Sequence, residues 1–400
     1  MNIDFHFLAD KYYNEILNTA SDMLKIKSIS GHEKEMADYV KKKMEYLNYD
    51  EVKIDKVGNI IGIMKGTGNG KSLMFNCHLD VVEAGNEAKW KYNPWEGKIA
   101  DGKLWGRGAS DTKATFAIQL YVPYILKKEN LLPKGDLYVV GVVHEESSGF
   151  GSMNMVNDGV LTDFAIVGEA TENDIAIASR GRIGIEIKII GKSCHASVPE
   201  LGINPFDFLE IFLSRLKKYG VAKDDIFGVS TVSPTKVESS EKGTNIIPNS
   251  IILTLDYRSV STESNDKIME KINKLAQSCI TDKEMKVEVS MIMLDIVCYN
   301  GFKGKGIQGE PSYSIDKDNI LVKTAENTLN KLFKKQVKIK PWAFATDCGH
   351  FSQKGVAVIG FSPAEIKYCH TVEDNIDLKM FKDGIAGTIA LGYEVGNVKK

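Results

Sequence analysis

Four short apolar runs limit what this chain can become. Residues 137–143, 164–167 and 356–361 are apolar at consecutive rather than alternating positions, and 72–77 is apolar but for Ser72 and Asn76. That is the pattern of strands covered on both faces. Helical spacing alternates with them. It appears at 9–27 (Tyr12, Ile16, Leu17, Met23, Leu24), at 33–47 behind the capping-box pattern Ser30-Gly-His-Glu33, and at 112–126, 316–333 and 378–395. Alternating strands and helices predict an α/β fold. Near Arg180 the pattern changes. Strands are expected at 184–190, 228–236, 250–258 and 285–291, with helices at 204–219 and 261–278. This β-α-β-β-α-β order is ferredoxin-like. The expected organisation is a discontinuous α/β domain, 1–180 and 293–400, interrupted by an α+β domain at 181–292. Four hundred residues suit two domains.

The totals exclude some partners. A net charge of −2 gives no electrostatic reason for nucleic acid or an anionic membrane to bind. No apolar run approaches the ~20 residues that a membrane helix needs. Met1-Asn-Ile-Asp-Phe5 lacks the basic and apolar regions of a secretory leader. The six cysteines are scattered without a C-x-x-C pair, which predicts a reducing, cytoplasmic setting.

Candidate chemistry collects where predicted strands end. His78-Leu-Asp80 follows the run 72–77, and Asp80 can accept a hydrogen bond from the ring nitrogen that His78 does not use for a metal. A predicted strand over 98–105 leads into Gly106-Arg-Gly-Ala-Ser-Asp111, whose glycines allow a turn. The pair Glu145-Glu146 follows 137–144: one acid can bind a metal while the other takes a proton from water. Glu169 follows 164–168, and His370 comes after 356–361. Each alone is more often a solvated loop residue than a ligand. Together, His78, Asp111, Glu146, Glu169 and His370 gather at the sheet edge where α/β proteins bind ligands. Two histidines and three carboxylates suit Zn²⁺, with Co²⁺ or Mn²⁺ as substitutes. Five ligands exceed the need of one catalytic zinc, so Asp111 is expected to bridge two ions. Gly106-Arg-Gly108 also begins like a dinucleotide fingerprint, but the sixth place is Asp111, which would repel a pyrophosphate.

The series Cys77-His-Leu-Asp80, Gly106–Lys113, Glu145-Glu146, Gly168-Glu169, Ser193–Pro199, Gly243–Pro248, Asp256-Tyr-Arg258, Thr346-Asp347 and His370–Glu373 resembles one family in order and across nearly the whole chain. This is the family of dinuclear zinc amidohydrolases and metallopeptidases that includes acetylornithine deacetylase, succinyl-diaminopimelate desuccinylase, aminoacylase and glutamate carboxypeptidase. The deacetylase-like branch is the most similar. The resemblance implies a zinc-exopeptidase-like mixed sheet flanked by helices, with the insert as a lid and dimerisation domain. It implies that His78 and Glu169 hold one Zn²⁺, that Glu146 and His370 hold the other, and that Asp111 bridges. Asp80 would orient His78, and Glu145 would be the general base. His195 would reach the partner subunit's active site and stabilise the oxyanion. Asn245 and Arg258 would contact substrate, and Asp347, Cys348 and Gly349 would form a helix start that binds the substrate carboxylate.

The expected activity is removal of an acyl group from an N-acyl amino acid by metal-bound hydroxide, in a homodimer. The alternative is a dipeptidase or carboxypeptidase using the same two metals. The turn Ser147-Ser-Gly-Phe-Gly-Ser152 is looser than the family's usual glycine-serine turn. Glu169 stands where many peptidase members have Asp, which leans toward deacylation. A metal-binding scaffold without activity would lack a ligand or the base, and here all are present.

Overall fold

The computed structural model describes residues 3–400. Its centre is a nine-stranded mixed sheet. The strand order is Glu51–Ile54, Ile60–Met64, Leu137–Val142, Leu73–His78, Phe164–Val167, Ala357–Gly360, Ile175–Ser179 and Tyr313–Ser314, with Ile339–Trp342 also paired to Ile175–Ser179. The four middle strands from Leu137–Val142 to Ala357–Gly360 run parallel. Their C-terminal ends therefore share one edge.

Alternate side chains on these strands enter two different cores. Phe75 and Ile166 face the helices Phe5–Leu24, Lys113–Lys128, Ile320–Phe333 and Leu378–Gly396. Met74, Ala165 and Val167 face the opposite layer, which includes Met155 of Phe150–Asn157 and Phe351 of Cys348–Gln353. Every residue of Leu73–His78 is buried, the polar Asn76 and His78 included.

The insert is a four-stranded antiparallel sheet in the order Thr231–Ser239, Ser250–Ser259, Gly181–Ile190, Lys286–Met291. That order and connectivity are ferredoxin-like. Ile183, Ile185, Ile187 and Ile189 point to one face and pack with Phe208, Phe212, Ile268 and Ile272 of helices Pro205–Leu216 and Asn265–Gln277. Each isoleucine buried there contributes roughly 1.5–3 kcal/mol.

Three local expectations are corrected. The run 98–105 is a hairpin, Lys98–Ala100 and Lys103–Trp105, because Asp101 and Gly102 take positive φ. A hairpin, Met293–Val297 with Lys303–Ile307, follows the insert before the α/β pattern resumes. No capping box forms at Ser30-Gly-His-Glu33: the helix Lys34–Tyr46 has no side-chain cap bond. Ser30 and Glu33 serve the functional site instead.

Candidate metal centre and active site

His78 is the last residue of a parallel strand, and its ring is fixed by its own turn. Its Nδ1–H donates to the backbone carbonyl of Asp80 at 2.8 Å. Nε2 is then free to face Asp111 Oδ1 at 2.9 Å and Glu169 Oε1 at 3.4 Å. The expectation for Asp80 is thereby corrected. Its carboxylate stands 4.0 Å from His78 Nδ1, and it is the carbonyl that orients the ring.

The Asp80 carboxylate holds the turn after Leu137–Val142. It accepts the N–H groups of Glu145 at 3.1 Å and Glu146 at 3.2 Å, and the Ser30 hydroxyl at 2.6 Å. Glu33 Oε1 accepts the preceding N–H, that of His144, at 3.2 Å. His144 is in the left-handed region at φ 56°, so three consecutive N–H groups turn inward onto two buried carboxylates. Desolvation, with Asp80 nearby, pushes Glu33 up to about 7. Residues from the first fifty positions thus set the direction of the Glu145–Glu146 pair.

Asp111 is positioned by a clamp that local sequence does not reveal. Asp374 accepts from the N–H of Gly108 at 2.7 Å, the N–H of Ser110 at 2.8 Å and the Arg107 guanidinium at 3.1 Å. Gly108, at φ +91°, leaves no room for a Cβ, which would lie 2.9 Å from Val81 Cγ1. The Asp111–Thr112 peptide is cis. Asp374 also follows His370 by four residues, so one carboxylate ties both loops together. His370 Nε2 lies 2.9 Å from Asp111 Oδ2 and 3.0 Å from Glu146 Oε2.

Asp111 therefore directs one oxygen to each histidine. Two donor sets share it: His78, Asp111 and Glu169, and Asp111, Glu146 and His370, with the ligand atoms of each within 4.8 Å of one another. This donor chemistry fits a pair of divalent ions joined by one carboxylate. Electrostatics agree. Burial opposes ionisation of Asp111, but the hydrogen bonds with His370 and His78 outweigh it and hold the carboxyl below its usual range. Hydrogen bonds to Asp111 and Glu146 push His370 up to about 10. Desolvation, then Asp111, raises Glu146 to about 7. Neither neighbouring cysteine belongs to these clusters among the described residues. Cys77 packs against Gly168, where a Cβ would come within 2.3 Å of its sulfur, and the Cys369 thiol donates to the Glu365 carbonyl.

A cavity of about 530 Å³ opens over this centre, and Asp111, Glu145, Glu146, Glu169 and His370 line it. Desolvation and the nearby Glu310 raise Glu145 above its ordinary carboxylate value, the direction that makes it a stronger base. The insert contributes Arg182 and Arg258, which are cross-strand neighbours. Asp256 offsets their repulsion, at 2.9 Å from Arg182 Nε and 2.6 Å from Arg258 Nε.

The remaining expected residues lie elsewhere. His195 and Asn245 are exposed and do not line the cavity. His195 pairs in register with Ile246, and its Nδ1 accepts the Ser197 N–H at 3.2 Å. Cys348 and Gly349 are buried, and their N–H groups donate to Thr346 rather than facing open space. Phe344 and Ala345, just upstream, face the cavity instead. Asp347 is buried in a third acidic group with Glu145 and Glu310. Glu310, Arg182 and Asp374 gave no sequence signal beyond their charge, and the signal at Glu33 was that of a helix cap.

Comparison with known proteins decides the family. The profile of Peptidase family M20/M25/M40 matches residues 74–391. The chain belongs to this family. The uncharacterized protein YgeY of Escherichia coli is 28% identical over 378 residues, covering 92% of each chain. A probable succinyl-diaminopimelate desuccinylase of Staphylococcus epidermidis is 31% identical over 202 residues, half of each chain. The crystal structure of a tripeptidase from Staphylococcus aureus shares the fold, with a TM-score of 0.74 at 20% identity, and covers 96% of this chain and 98% of its own. This M20-family protein is a metal-dependent hydrolase of amide or peptide bonds, and its family uses a divalent metal. No helix among the described residues is long and apolar enough to cross a membrane.

Proposed function

We propose that this M20-family hydrolase removes the acyl group from an N-acyl amino acid with two Zn²⁺ per subunit, Co²⁺ or Mn²⁺ being able to substitute. The observation that carries the reading is Asp111, whose two oxygens each face a different histidine at 2.9 Å. His78 and Glu169 would hold one ion, and Glu146 and His370 the other. The pair would supply an acidified water and polarise the scissile carbonyl. Glu145, on the same cavity wall, takes the proton and returns it to the departing amine. Asp80 keeps Glu145 and Glu146 directed into the cavity. Arg258 and Arg182 offer guanidinium groups to a substrate carboxylate. Glu169 and the desuccinylase relative favour deacylation. Hydrolysis of dipeptides at the same centre is the second reading. A panel of N-acetyl and N-succinyl amino acids and dipeptides, with Zn²⁺, Co²⁺ or Mn²⁺ added, separates the two. Exclusive dipeptide cleavage overturns the first.

The division into 1–180 with 293–400 and 181–292 follows the separate apolar cores. The exposed His195 is assigned to the active site of a partner subunit in a homodimer joined through the insert, and Asn245 to contact with substrate. Mixing inactive Glu145→Ala and His195→Ala subunits is expected to restore activity in mixed dimers. No recovery in verified mixed dimers rejects the assignment. Six free cysteines support a cytoplasmic location.

A further inference from the structure

One buried side chain near the metal centre runs against the preferences of its position. Lys113 opens the helix Lys113–Lys128 and is 0% exposed. A basic residue at a helix N-terminus opposes the backbone dipole. Burying an amino group is also unfavourable unless its donors are engaged. Lys113 does both, and its Nζ makes one hydrogen bond among the described residues, to the Ile26 carbonyl at 2.6 Å. No backbone N–H donates to that carbonyl among the described residues. An apolar chain of the same length would fill this space without either penalty. Residues that break a local preference in this way collect at functional sites.

The bond connects the loop of the bridging carboxylate to a distant segment. The Lys113 N–H donates to the Gly108 carbonyl at 2.9 Å, which closes residues 108–113 into a loop with Asp111 inside it. The lysine stem packs on Gly108, where an added Cβ would lie 2.9 Å from its Cδ. Ile26 begins the segment 26–33, which runs past two further ligand loops. Ser28 Oγ donates to the Leu79 carbonyl at 2.7 Å, and the Val81 N–H donates to the Ser28 carbonyl at 2.9 Å, beside a bridge between Ile29 and Val81. These contacts hold the turn after His78. Ser30, through Asp80, and Glu33 hold the turn of Glu145 and Glu146. Segment 26–33 thus fastens the loops of His78, Asp111 and Glu146 and supplies no ligand to either donor set.

We propose that Lys113 is a positioning residue for Asp111. Asp374 ties the bridging loop to that of His370, and Lys113, through Ile26, ties it to those of His78 and Glu146. Asp111 has to keep one oxygen toward each histidine at the same time. A loop fastened on one side only could turn its carboxylate toward one histidine and away from the other. Removing an outer partner of this kind lowers metal affinity or activity by roughly 10–100-fold.

The inference rests on the two-metal reading, and the test separates the two. Wild type, Lys113→Met and Ile118→Val are compared at a temperature where circular dichroism shows each fully folded. The first substitution keeps the stem and removes the donor. The second is a mild lesion at a fully buried residue of the same helix. Zn²⁺ titration in chelator buffers reads the stepwise affinities, and the visible absorption of the Co²⁺-loaded protein reads the geometry of the ligands. Lys113→Met is expected to weaken one of the two Zn²⁺ by about 10–100-fold and to shift the Co²⁺ bands. Its kcat should fall with KM little changed. Ile118→Val is expected to keep the affinities and the bands. Wild-type affinities and bands in Lys113→Met overturn the inference, as does the same change in Ile118→Val. If Lys113→Met does not fold, Ser28→Ala loosens the same segment, and unchanged affinities and bands there overturn it too. One ion per wild-type subunit overturns the two-metal reading and this inference with it. Two ions in wild type and the expected Lys113→Met loss, without hydrolysis of any amide tried, support the inference and reject only the proposed substrate.

Discussion

The two sheets of this molecule place polar groups in opposite ways. In the central sheet, Leu73–His78 is buried at every residue, so functional groups stand only where strands end. His78, Glu145, Glu146 and Glu169 all occupy such ends. In the insert, Ser250–Ser259 alternates between buried and half-buried, and Thr231–Ser239 is exposed along nearly its whole length. The half-buried positions of Ser250–Ser259 include Asp256 and Arg258, and Arg258 lines the cavity while Asp256 holds its guanidinium. A layer covered on both sides can build a metal site at its edge, where backbone turns are free. A layer covered on one side can lend charges to a neighbour's site and leave the rest of its open face for a partner.

This contrast predicts effects of decreasing size. Asp111→Ala, at the centre of the edge site, is expected to remove both metals and to lower turnover by roughly 10⁴-fold or more, because metal activation supplies several kcal/mol. Elemental analysis showing two retained ions rejects the bridging assignment. Glu145→Ala is expected to keep both metals and to lose about 10²–10⁴-fold in kcat. If turnover persists with metal bound, another residue is the base.

Core substitutions test how separate the two layers are. Phe75→Ala in the central sheet and Ile187→Ala in the insert remove fully buried side chains. Each is expected to cost about 2–5 kcal/mol. Hydrogen exchange should quicken within 181–292 for Ile187→Ala while protection of Leu73–His78 and metal content stay intact. Equal loss of protection in both regions means that they unfold as one unit.

The edge site also predicts a pH dependence. Hydrogen bonds to Asp111 and Glu146 raise His370 to about 10 in the folded chain. In the metal-free protein this stabilisation is complete below the unfolded histidine's ordinary value and disappears as pH rises through about 10. A metal competes for the same Nε2, so its affinity should climb over that interval. Zn²⁺ titrations from pH 6 to 9 read the trend, and a flat profile removes His370 from the ligand set. The smallest expected effect is at the turn. Ser30→Ala deletes one hydrogen bond to Asp80 and should lower stability by about 1–3 kcal/mol with metal content unchanged. Loss of metal in this variant would show that the Glu145–Glu146 turn needs more than its two N–H bonds to Asp80.

The legible part of the site was the part written in local pattern. His78, Asp111, Glu146, Glu169 and His370 each follow a strand or glycine turn, and the fold brings their donor atoms into two clusters. Asp374 and Glu33 act through backbone N–H groups far away in sequence, at Gly108, Ser110 and His144, and no motif announces such a bond. Ser30 and Glu33 even mimic a helix cap, a signal that tertiary structure redirects toward Asp80 and His144. The helix-start expectation at Cys348 and Gly349 failed because Thr346 already takes their donors.

Apolar periodicity alone determined the α/β layout and the ferredoxin-like insert, because burial on one face or two leaves a period that sequence records. It also determined which residue types stand at strand ends. Only the tertiary structure decided that the Asp80 carbonyl, not its carboxylate, orients His78. It alone placed Glu310 beside Asp347 and Glu145. Those contacts depend on where distant segments close in space, and a hydrogen bond's direction is fixed by the final backbone path rather than by residue type.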